Sequence, residues 1–176
     1  MKYLRHLIRK IKYKLKFLNK TKDTKLNYTV NGKTNSQLTD LMNLYGSDKG
    51  GKNNHHNYSE YYSHIFFNKK KYIKKFLEVG LGTNNVNLAS NMGAEGKPLA
   101  SLRAWKDYFI NAEIYGADID KNILKDEEGI KTFYVDQTDP ITISEMFKKI
   151  GVEKFDVILE DGLHEFNANI CFFENS

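Results

Sequence analysis

The segment from Leu77 to Asn85, LEVGLGTNN, constrains the fold of this chain more than any other segment. Its apolar, partly β-branched residues run into a Gly-x-Gly turn, a pattern typical of a buried strand that ends in a tight loop. Glycine in such a loop lets the backbone approach a bound ligand closely. The segment therefore predicts a nucleotide-type site with Gly80 and Gly82 among its contacts.

Two details of this segment argue against a dinucleotide. The third glycine of a G-x-G-x-x-G pattern would fall at Asn85, and an acid, Glu78, stands two residues before Gly80. A carboxylate there suits a positively charged ligand better than a pyrophosphate. S-adenosylmethionine carries a sulfonium and an amino group, so we expect Glu78 to contact this cofactor. Gly-x-Gly turns without a ligand are also common, and the rest of the chain must decide.

Length and cysteine content limit the class of protein. The chain has 176 residues, which is enough for one domain with a hydrophobic core and too few for two of ordinary size. Its single cysteine, Cys171, excludes an internal disulfide and a cysteine metal cluster. No apolar run approaches the length of a membrane span. These features predict a cytoplasmic protein.

The charge of the chain is unevenly distributed. Residues 1–25 contain ten Lys or Arg and one acid, Asp23, whereas the remainder contains 17 basic and 21 acidic residues. A nucleic-acid-binding domain is expected to carry a basic face on its fold. The mildly acidic remainder therefore argues against nucleic acid as a partner.

Residues 1–20 have the pattern of a basic amphipathic helix, with leucine and isoleucine on one face and lysine and arginine beside it. The apolar face is suited to peripheral contact with an anionic membrane, and equally to packing on the chain's own domain or on a second subunit. A polar linker is predicted over residues 21–37, and the folded domain over residues 38–176.

Strands and helices are predicted to alternate along this domain. The strands are about Phe76–Val79, Glu113–Ala117 and Thr132–Val135, and a fourth starts at Phe155. Five helices are predicted. Two of them are Leu38–Tyr45 and Leu99–Phe109. The other three are known by their starts: one is capped by Asn57, one starts in a capping box of Thr142 and Glu145, and one starts near Glu165. Alternation of this kind predicts an α/β fold with a parallel sheet and right-handed crossovers.

Apolar side chains at helical spacing predict which helix faces are buried. After Asn57, an aromatic stripe is predicted to belong to the core: Tyr58, Tyr61, Tyr62, Ile65 and Phe66. In the later helices the predicted inner residues are Leu102, Trp105 and Phe109, and then Ile143, Met146, Phe147 and Ile150.

Polar residues follow the predicted strands, at the sheet edge where ligands of parallel α/β folds bind. Asp118 is placed to accept hydrogen bonds from ribose hydroxyls, and it is a better candidate than Asp120, which lies in the turn. Asp136 and Gln137 are placed to read an adenine amino edge. Asp118 lies 38 residues after Gly80, against about 20 in the dinucleotide fingerprint, so the intervening loop is an insertion able to cover the site. Taken alone, each of these acids can also be interpreted as a turn former or a helix cap.

The fourth strand ends in Glu160, Asp161 and Gly162, followed by Leu163 and His164. A hydroxyl is a poor nucleophile at neutral pH, so methyl transfer to it needs a base or a hard cation that lowers its pKa. Asp161 offers an oxygen ligand for such a cation, and His164 offers a base. A helix-start aspartate and a structural histidine are the alternative interpretation.

Five motifs in order resemble the class I S-adenosylmethionine-dependent methyltransferases, with a Rossmann-like fold. They are LEVGLGTNN, SLRAWKDYF from Ser101, IYGADID from Ile114, VDQTD from Val135 and FDVILEDGLH from Phe155. The chain is most similar to the macrocin-type sugar O-methyltransferases, where SDKG and the following His and Tyr residues, Ser47 to Tyr62, have a similar upstream motif. The resemblance implies a sugar or glycoside hydroxyl as acceptor, cofactor contacts at Glu78, Gly80, Asp118, Asp136 and Gln137, a magnesium ligand at Asp161 and a catalytic base at His164.

The resemblance also implies further strands and an acidic pair that completes the metal site. This chain ends at Ser176, in the helix after the fourth strand, so a truncated fold with an incomplete metal site and an open sheet edge is expected. A catalytically inactive fragment that binds the cofactor or a partner chain is therefore an alternative function. A homo-oligomer or a complementing C-terminal chain is a possible partner. A dinucleotide-binding reductase is disfavoured by Asn85 and by the 38-residue spacing.

Overall fold

The computed structural model describes residues 36–52 and 56–176. The predicted basic helix of residues 1–20 and all but the last two residues of the predicted linker lie outside the described residues. The strands are β1 Lys75–Val79, β2 Glu113–Asp118, β3 Ile130–Tyr134 and β4 Val157–Glu160. The helices are α1 Gln37–Tyr45, α2 Tyr58–Phe66, α3 Ala100–Tyr108, α4 Pro140–Ile150 and α5 Phe166–Asn175. None of these helices has the length and apolar character needed to cross a membrane.

The four strands form one parallel sheet in the order β3-β2-β1-β4. Val79 at the end of β1 pairs with Ala117 of β2 and with Glu160 of β4, so the carboxyl ends of the strands lie side by side. The predicted α/β fold with a parallel sheet is confirmed. β3 begins two residues earlier than predicted because its first residue, Ile130, follows a turn at Gly129, whose φ is +75°.

β4 forms one edge of the sheet. In the described part of the chain it pairs with β1 alone, and Ile158 in its middle is 41% exposed. An exposed strand edge presents unpaired backbone N–H and C=O groups. The open edge expected from the sequence is therefore present in the described residues.

The core lies on both faces of the sheet because successive strand side chains point to opposite faces. Phe76 of β1 packs with α1 and α3 on one face, and its neighbour Leu77 packs with α4 and α5 on the other. The first cluster is centred on Leu38, Met42, Phe76, Leu102, Trp105 and Phe109. The second includes Leu77, Val79, Tyr115, Ile143, Met146 and Phe172. The predicted inner residues of α3 are confirmed, and in α4 Ile143 and Met146 are buried while Phe147 and Ile150 are partly buried.

The aromatic stripe of α2 is only partly in the core, so that prediction is wrong for three of its members. Tyr62 and Phe66 pack on Trp105 with ring centroids 5.6 and 6.1 Å apart. Tyr58, Tyr61 and Ile65 are 38%, 50% and 57% exposed. Residues four apart share a helix face, so Tyr62 and Phe66 lie together on the face that contacts Trp105, while Tyr61 and Ile65 lie on another face. Tyr58 shares the face of Tyr62 but is the first residue of α2, one turn further from Phe66.

Two predicted helix starts differ from the structure in their capping. Asn57 occupies the N-cap of α2, but its side chain makes no cap hydrogen bond. α4 starts earlier than predicted, because Asp139 is its N-cap and accepts a hydrogen bond from the N–H of Ile141 at 2.9 Å. Pro140 takes the first helical position, where its fixed φ is favourable and its missing N–H costs nothing. Thr142 consequently lies inside the helix.

Candidate functional site

A cavity of about 460 Å³ opens where the carboxyl ends of the strands meet. This volume is in the range of small-molecule sites. Seven of the eight residues predicted from the sequence line its wall: Gly80, Gly82, Asp118, Asp136, Gln137, Asp161 and His164. Glu78 is the exception. The strand register therefore assembles residues that are far apart in the chain into one site.

The glycine turn forms the floor of this cavity. Gly80 and Gly82 have φ values of +89° and +74°, in the left-handed region that favours glycine. A Cβ atom on Gly80 would lie 2.2 Å from the carbonyl oxygen of Asp161. The absence of a side chain at Gly80 thus allows the end of β4 to pack directly on the turn.

The loop after Asn85 contributes to the cavity wall, since residues 88–92 line the cavity. Two backbone hydrogen bonds connect this loop to the glycine turn. The N–H of Met92, in the middle of the loop, donates to the carbonyl of Thr83 at 2.8 Å, and the N–H of Leu99, at its end, donates to the carbonyl of Leu81 at 3.0 Å.

Asp118 lies at the end of β2 and is 6% exposed. Its carboxylate accepts hydrogen bonds from the N–H of Leu81 at 2.7 Å and from the N–H of Asp120 at 2.8 Å. Burial raises the pKa of Asp118, and these N–H groups offset part of that effect. Asp120 is not part of the cavity wall, and its carboxylate binds the hydroxyl of Thr83 at 2.5 Å. Of the two acids, Asp118 therefore remains the candidate for ribose binding.

Asp136 and Gln137 follow β3 and differ in how their side chains are engaged. One carboxylate oxygen of Asp136 accepts from the N–H of Thr138 at 2.8 Å. The amide nitrogen of Gln137 donates to Glu160 at 2.7 Å, and its amide oxygen accepts from the N–H of Leu163 at 2.7 Å. Gln137 thus connects the ends of β3 and β4. The predicted contact of Gln137 with an adenine edge would compete with these bonds.

Glu78 is not among the residues that line the cavity, and the cofactor contact expected of it stays a prediction. Its side chain is fully buried and accepts a hydrogen bond from the hydroxyl of Ser101 at 2.7 Å. The other carboxylate oxygen is 3.4 Å from Nζ of Lys49. Burial raises the pKa of Glu78, while Lys49 and Ser101 lower it in part. The alternation of β1 directs this side chain towards α3 instead of the turn.

Lys49 is a site residue that was not predicted. It belongs to the short 3-10 helix Asp48–Gly50, and its side chain is 7% exposed. Its Nζ lies 2.6 Å from Asp161, 3.4 Å from Glu78 and 3.8 Å from Asp48. The resemblance of the SDKG segment to a known motif was the only signal for it, because an ion pair between distant positions leaves no periodic pattern in one sequence.

Asp161 and His164 stand on the turn that follows β4. Oδ2 of Asp161 pairs with Lys49, and Oδ1 lies 3.8 Å from Nε2 of His164, whose side chain is 67% exposed. Magnesium is usually bound by one or two carboxylates together with waters and substrate oxygens. Asp161 fits as one such oxygen ligand. Residues 36–52 and 56–176 contain no group of three or more His, Cys, Asp or Glu side chains that could hold a metal ion, so they do not complete the site.

Comparisons with known proteins agree with this geometry. The chain is 30% identical over 127 residues to the 8-demethyl-8-alpha-L-rhamnosyl tetracenomycin-C 2'-O-methyltransferase of Streptomyces olivaceus, and 30% identical over 127 residues to the demethylmacrocin O-methyltransferase of Streptomyces fradiae. It is 29% identical over 139 residues to the mycinamicin VI 2''-O-methyltransferase of Micromonospora griseorubida. No family model matches the chain.

Solved structures give the same relationship. The MycE methyltransferase from the mycinamycin biosynthetic pathway, in complex with Mg and SAH, superimposes with a TM-score of 0.64 at 27% identity, over 80% of this chain and 35% of that one. Its complex with Mg, SAH and mycinamycin VI gives a TM-score of 0.64 at 26% identity, over 78% of this chain and 34% of that one.

The matched regions make up 72–79% of this chain but only 29–32% of the curated relatives. The chain therefore spans about a third of their length. Over that part, the chain is 29–30% identical to the curated relatives and superimposes on MycE with a TM-score of 0.64. The chain is a relative of the macrocin-type sugar O-methyltransferases and has their class I methyltransferase fold over the region that it shares with them.

Proposed function

We propose that the chain forms the cofactor-binding part of an S-adenosylmethionine-dependent O-methyltransferase that acts on a hydroxyl of a saccharide or glycoside. The observation that carries this proposal is the cavity at the strand ends, where the glycine turn lies beside Asp118, Asp161 and His164. The proposal is supported by the relatives, which are named as O-methyltransferases of a rhamnosyl tetracenomycin and of demethylmacrocin, and by MycE, which was crystallised with Mg, SAH and mycinamycin VI.

The charges around the cavity favour a cationic cofactor. Carboxylates outnumber ammonium groups in the wall, and the buried carboxylate of Glu78 already faces one of the lysines. A sulfonium is attracted to such a site, whereas the pyrophosphate of a dinucleotide is repelled by it. The charged wall residues are Asp48, Asp118, Asp136, Asp161, Lys49 and Lys97.

His164 is the proposed general base for methyl transfer. Bound S-adenosylmethionine supplies an electrophilic methyl group, and a magnesium ion on Asp161 would lower the pKa of an acceptor hydroxyl. The imidazole of His164 is exposed at the cavity wall, where it can take the proton that the acceptor oxygen loses. Asp161, 3.8 Å away, stabilises the imidazolium that results.

Binding of S-adenosylhomocysteine (SAH), the demethylated cofactor, tests the cofactor site. We expect calorimetric titration to detect SAH binding and no binding of NAD. Asp118→Ala should weaken SAH binding by about 1–3 kcal/mol, the scale of hydrogen bonds to a charged group.

Asp120→Ala is the matched control, because Asp120 is two residues away and does not line the cavity. Both variants should be titrated well below their melting temperatures. Equal affinities for SAH in the wild type and in Asp118→Ala would remove Asp118 from the binding site.

Transfer of a radiolabelled methyl group to glycosylated macrolides and simpler glycosides tests the catalytic assignment. His164→Ala should lower the transfer rate by about two to four orders of magnitude, the usual contribution of general-base catalysis. The assay is run with the chain alone and with a second polypeptide that supplies the part of a relative beyond the match. His64→Ala is the control, since His64 is exposed and lies outside the cavity wall. Undiminished transfer by His164→Ala would contradict the assignment.

A further inference from the structure

Lys49 connects three parts of the structure that are distant in the sequence. The 3-10 helix Asp48–Gly50 supplies the ammonium group, β1 supplies the carboxylate of Glu78, and the turn after β4 supplies that of Asp161. The side chains of Glu78 and Lys49 are 0% and 7% exposed, so water screens this interaction weakly. A buried charge is tolerated only when it is paired, and here each member of the trio has a partner of opposite charge.

We propose that Lys49 is a positioning residue whose ammonium group holds the turn of residues 161–164 against the glycine turn, and so sets Asp161 and His164 for the chemistry at the cavity. This inference rests on the proposed function for the roles of Asp161 and His164. The position of the turn, however, is a property of the chain itself.

The contacts around Asp161 show how this would work. Lys49 engages Oδ2 of Asp161, which leaves Oδ1 on the side of His164. The N–H of Asp161 donates to the carbonyl of Val79 at 2.8 Å, so the backbone of the same residue is fixed to β1. Gly80 then makes direct backbone contact with this turn. The side chain and the backbone of Asp161 are therefore both held in place.

The charge on Lys49 is stable in this environment. Burial by itself lowers the pKa of a lysine, but the carboxylates of Glu78, Asp161 and Asp48 outweigh that effect and raise the pKa of Lys49 above its ordinary value.

Hydrogen exchange of the backbone amides of residues 161–165, measured by mass spectrometry without any cofactor, tests this role. The first variant is the double substitution Lys49→Met with Glu78→Gln, which removes both buried charges together and leaves no unpaired carboxylate beside Ser101. We expect its melting temperature to stay near that of the wild type, while exchange in residues 161–165 becomes at least about tenfold faster. SAH affinity should fall at the same time.

A second variant keeps the test valid if the double variant folds poorly. Asp161→Ala leaves the Lys49–Glu78 pair intact and removes the carboxylate that ties Lys49 to the turn, so it should speed exchange in the same five residues. Lys125→Met is the control for loss of a lysine, since Lys125 is exposed and is not among the residues that line the cavity.

The outcomes separate this inference from the proposed function. Faster exchange at residues 161–165 in either charge variant, with Lys125→Met unchanged, supports a positioning role whether or not SAH binds. Exchange as slow as in the wild type in both variants would overturn it. Failure of the wild type to bind SAH, with the exchange result as expected, would count against the cofactor site alone.

Discussion

Gly80→Ala should reduce SAH affinity by at least about 100-fold, which corresponds to about 2.8 kcal/mol. Alanine at a φ of +89° is strained, and its Cβ would lie 2.2 Å from the carbonyl oxygen of Asp161 and 2.6 Å from Cα of Gly162. These are backbone atoms, so no side-chain rotation relieves the clash. The end of β4 must move away from the turn, which takes Asp161 and His164 with it. Calorimetric titration with SAH measures the loss.

Gly151→Ala separates backbone strain from the clash. Gly151 ends α4 with a φ of +68°, and a Cβ there would meet nothing within 4 Å. In this control, only the strain of alanine in the left-handed conformation should lower the stability, by about 1–2 kcal/mol, and the SAH affinity should be unchanged. If both variants bind SAH equally well, the close packing of β4 on the glycine turn is not needed for the site.

Trp105→Ala should lower the free energy of unfolding by about 3–5 kcal/mol, as is usual when a large buried aromatic residue is truncated. Trp105 is fully buried at the centre of the first core cluster, where its ring packs with those of Phe76 and Phe109 at centroid distances of 4.9 and 5.4 Å. A loss of this size is a large fraction of the stability of an ordinary domain. Urea unfolding measures this loss. It is followed by circular dichroism because Trp105 is the only tryptophan in the chain, so the variant has no tryptophan fluorescence to follow.

Trp105→Phe is the comparison for this prediction. The indole Nε1 of Trp105 has no hydrogen-bond partner among the described residues, so phenylalanine removes an unpaired polar group while keeping most of the aromatic contact. We expect its cost to be clearly below that of alanine. Equal losses for the two substitutions would show that the stability depends on the indole as a whole and not on burial of an aromatic ring.

The sequence was sufficient for the order and type of the elements and for most of the cavity wall. An apolar run followed by Gly80, Asp118 or Asp161 predicts a strand and its end. Parallel pairing then places those ends at the same edge of the sheet, and this does not depend on how individual side chains pack. The buried face of α3 could also be predicted, since Leu102, Trp105 and Phe109 follow helical spacing.

The errors arose where a pattern had two physical solutions. Thr142 with Glu145 resembles a capping box. The Asp139–Pro140 pair, three residues earlier, is the stronger start signal and sets the first residue of the helix. The aromatic stripe of α2 could not show which half of it meets Trp105, because that depends on how the helix sits on the sheet.

Glu78 and Lys49 illustrate a different limit. The sequence shows that Glu78 stands before the glycine turn, but it does not show which cation pairs with its carboxylate. A lysine from a separate segment satisfies it inside the protein, and only tertiary structure brings the two together. In this structure Lys49 is the cation that faces the carboxylate of Glu78.

Titration of the ¹⁵N-labelled chain with SAH, followed by nuclear magnetic resonance, tests most directly whether the cavity at the strand ends is a cofactor site. We expect saturable shifts of the amide signals of Gly80, Gly82, Asp118 and Asp136. The amide of Arg103, in a separate charged cavity of about 220 Å³, should stay unperturbed. Shifts confined to that second cavity, or none at millimolar SAH, would contradict this assignment.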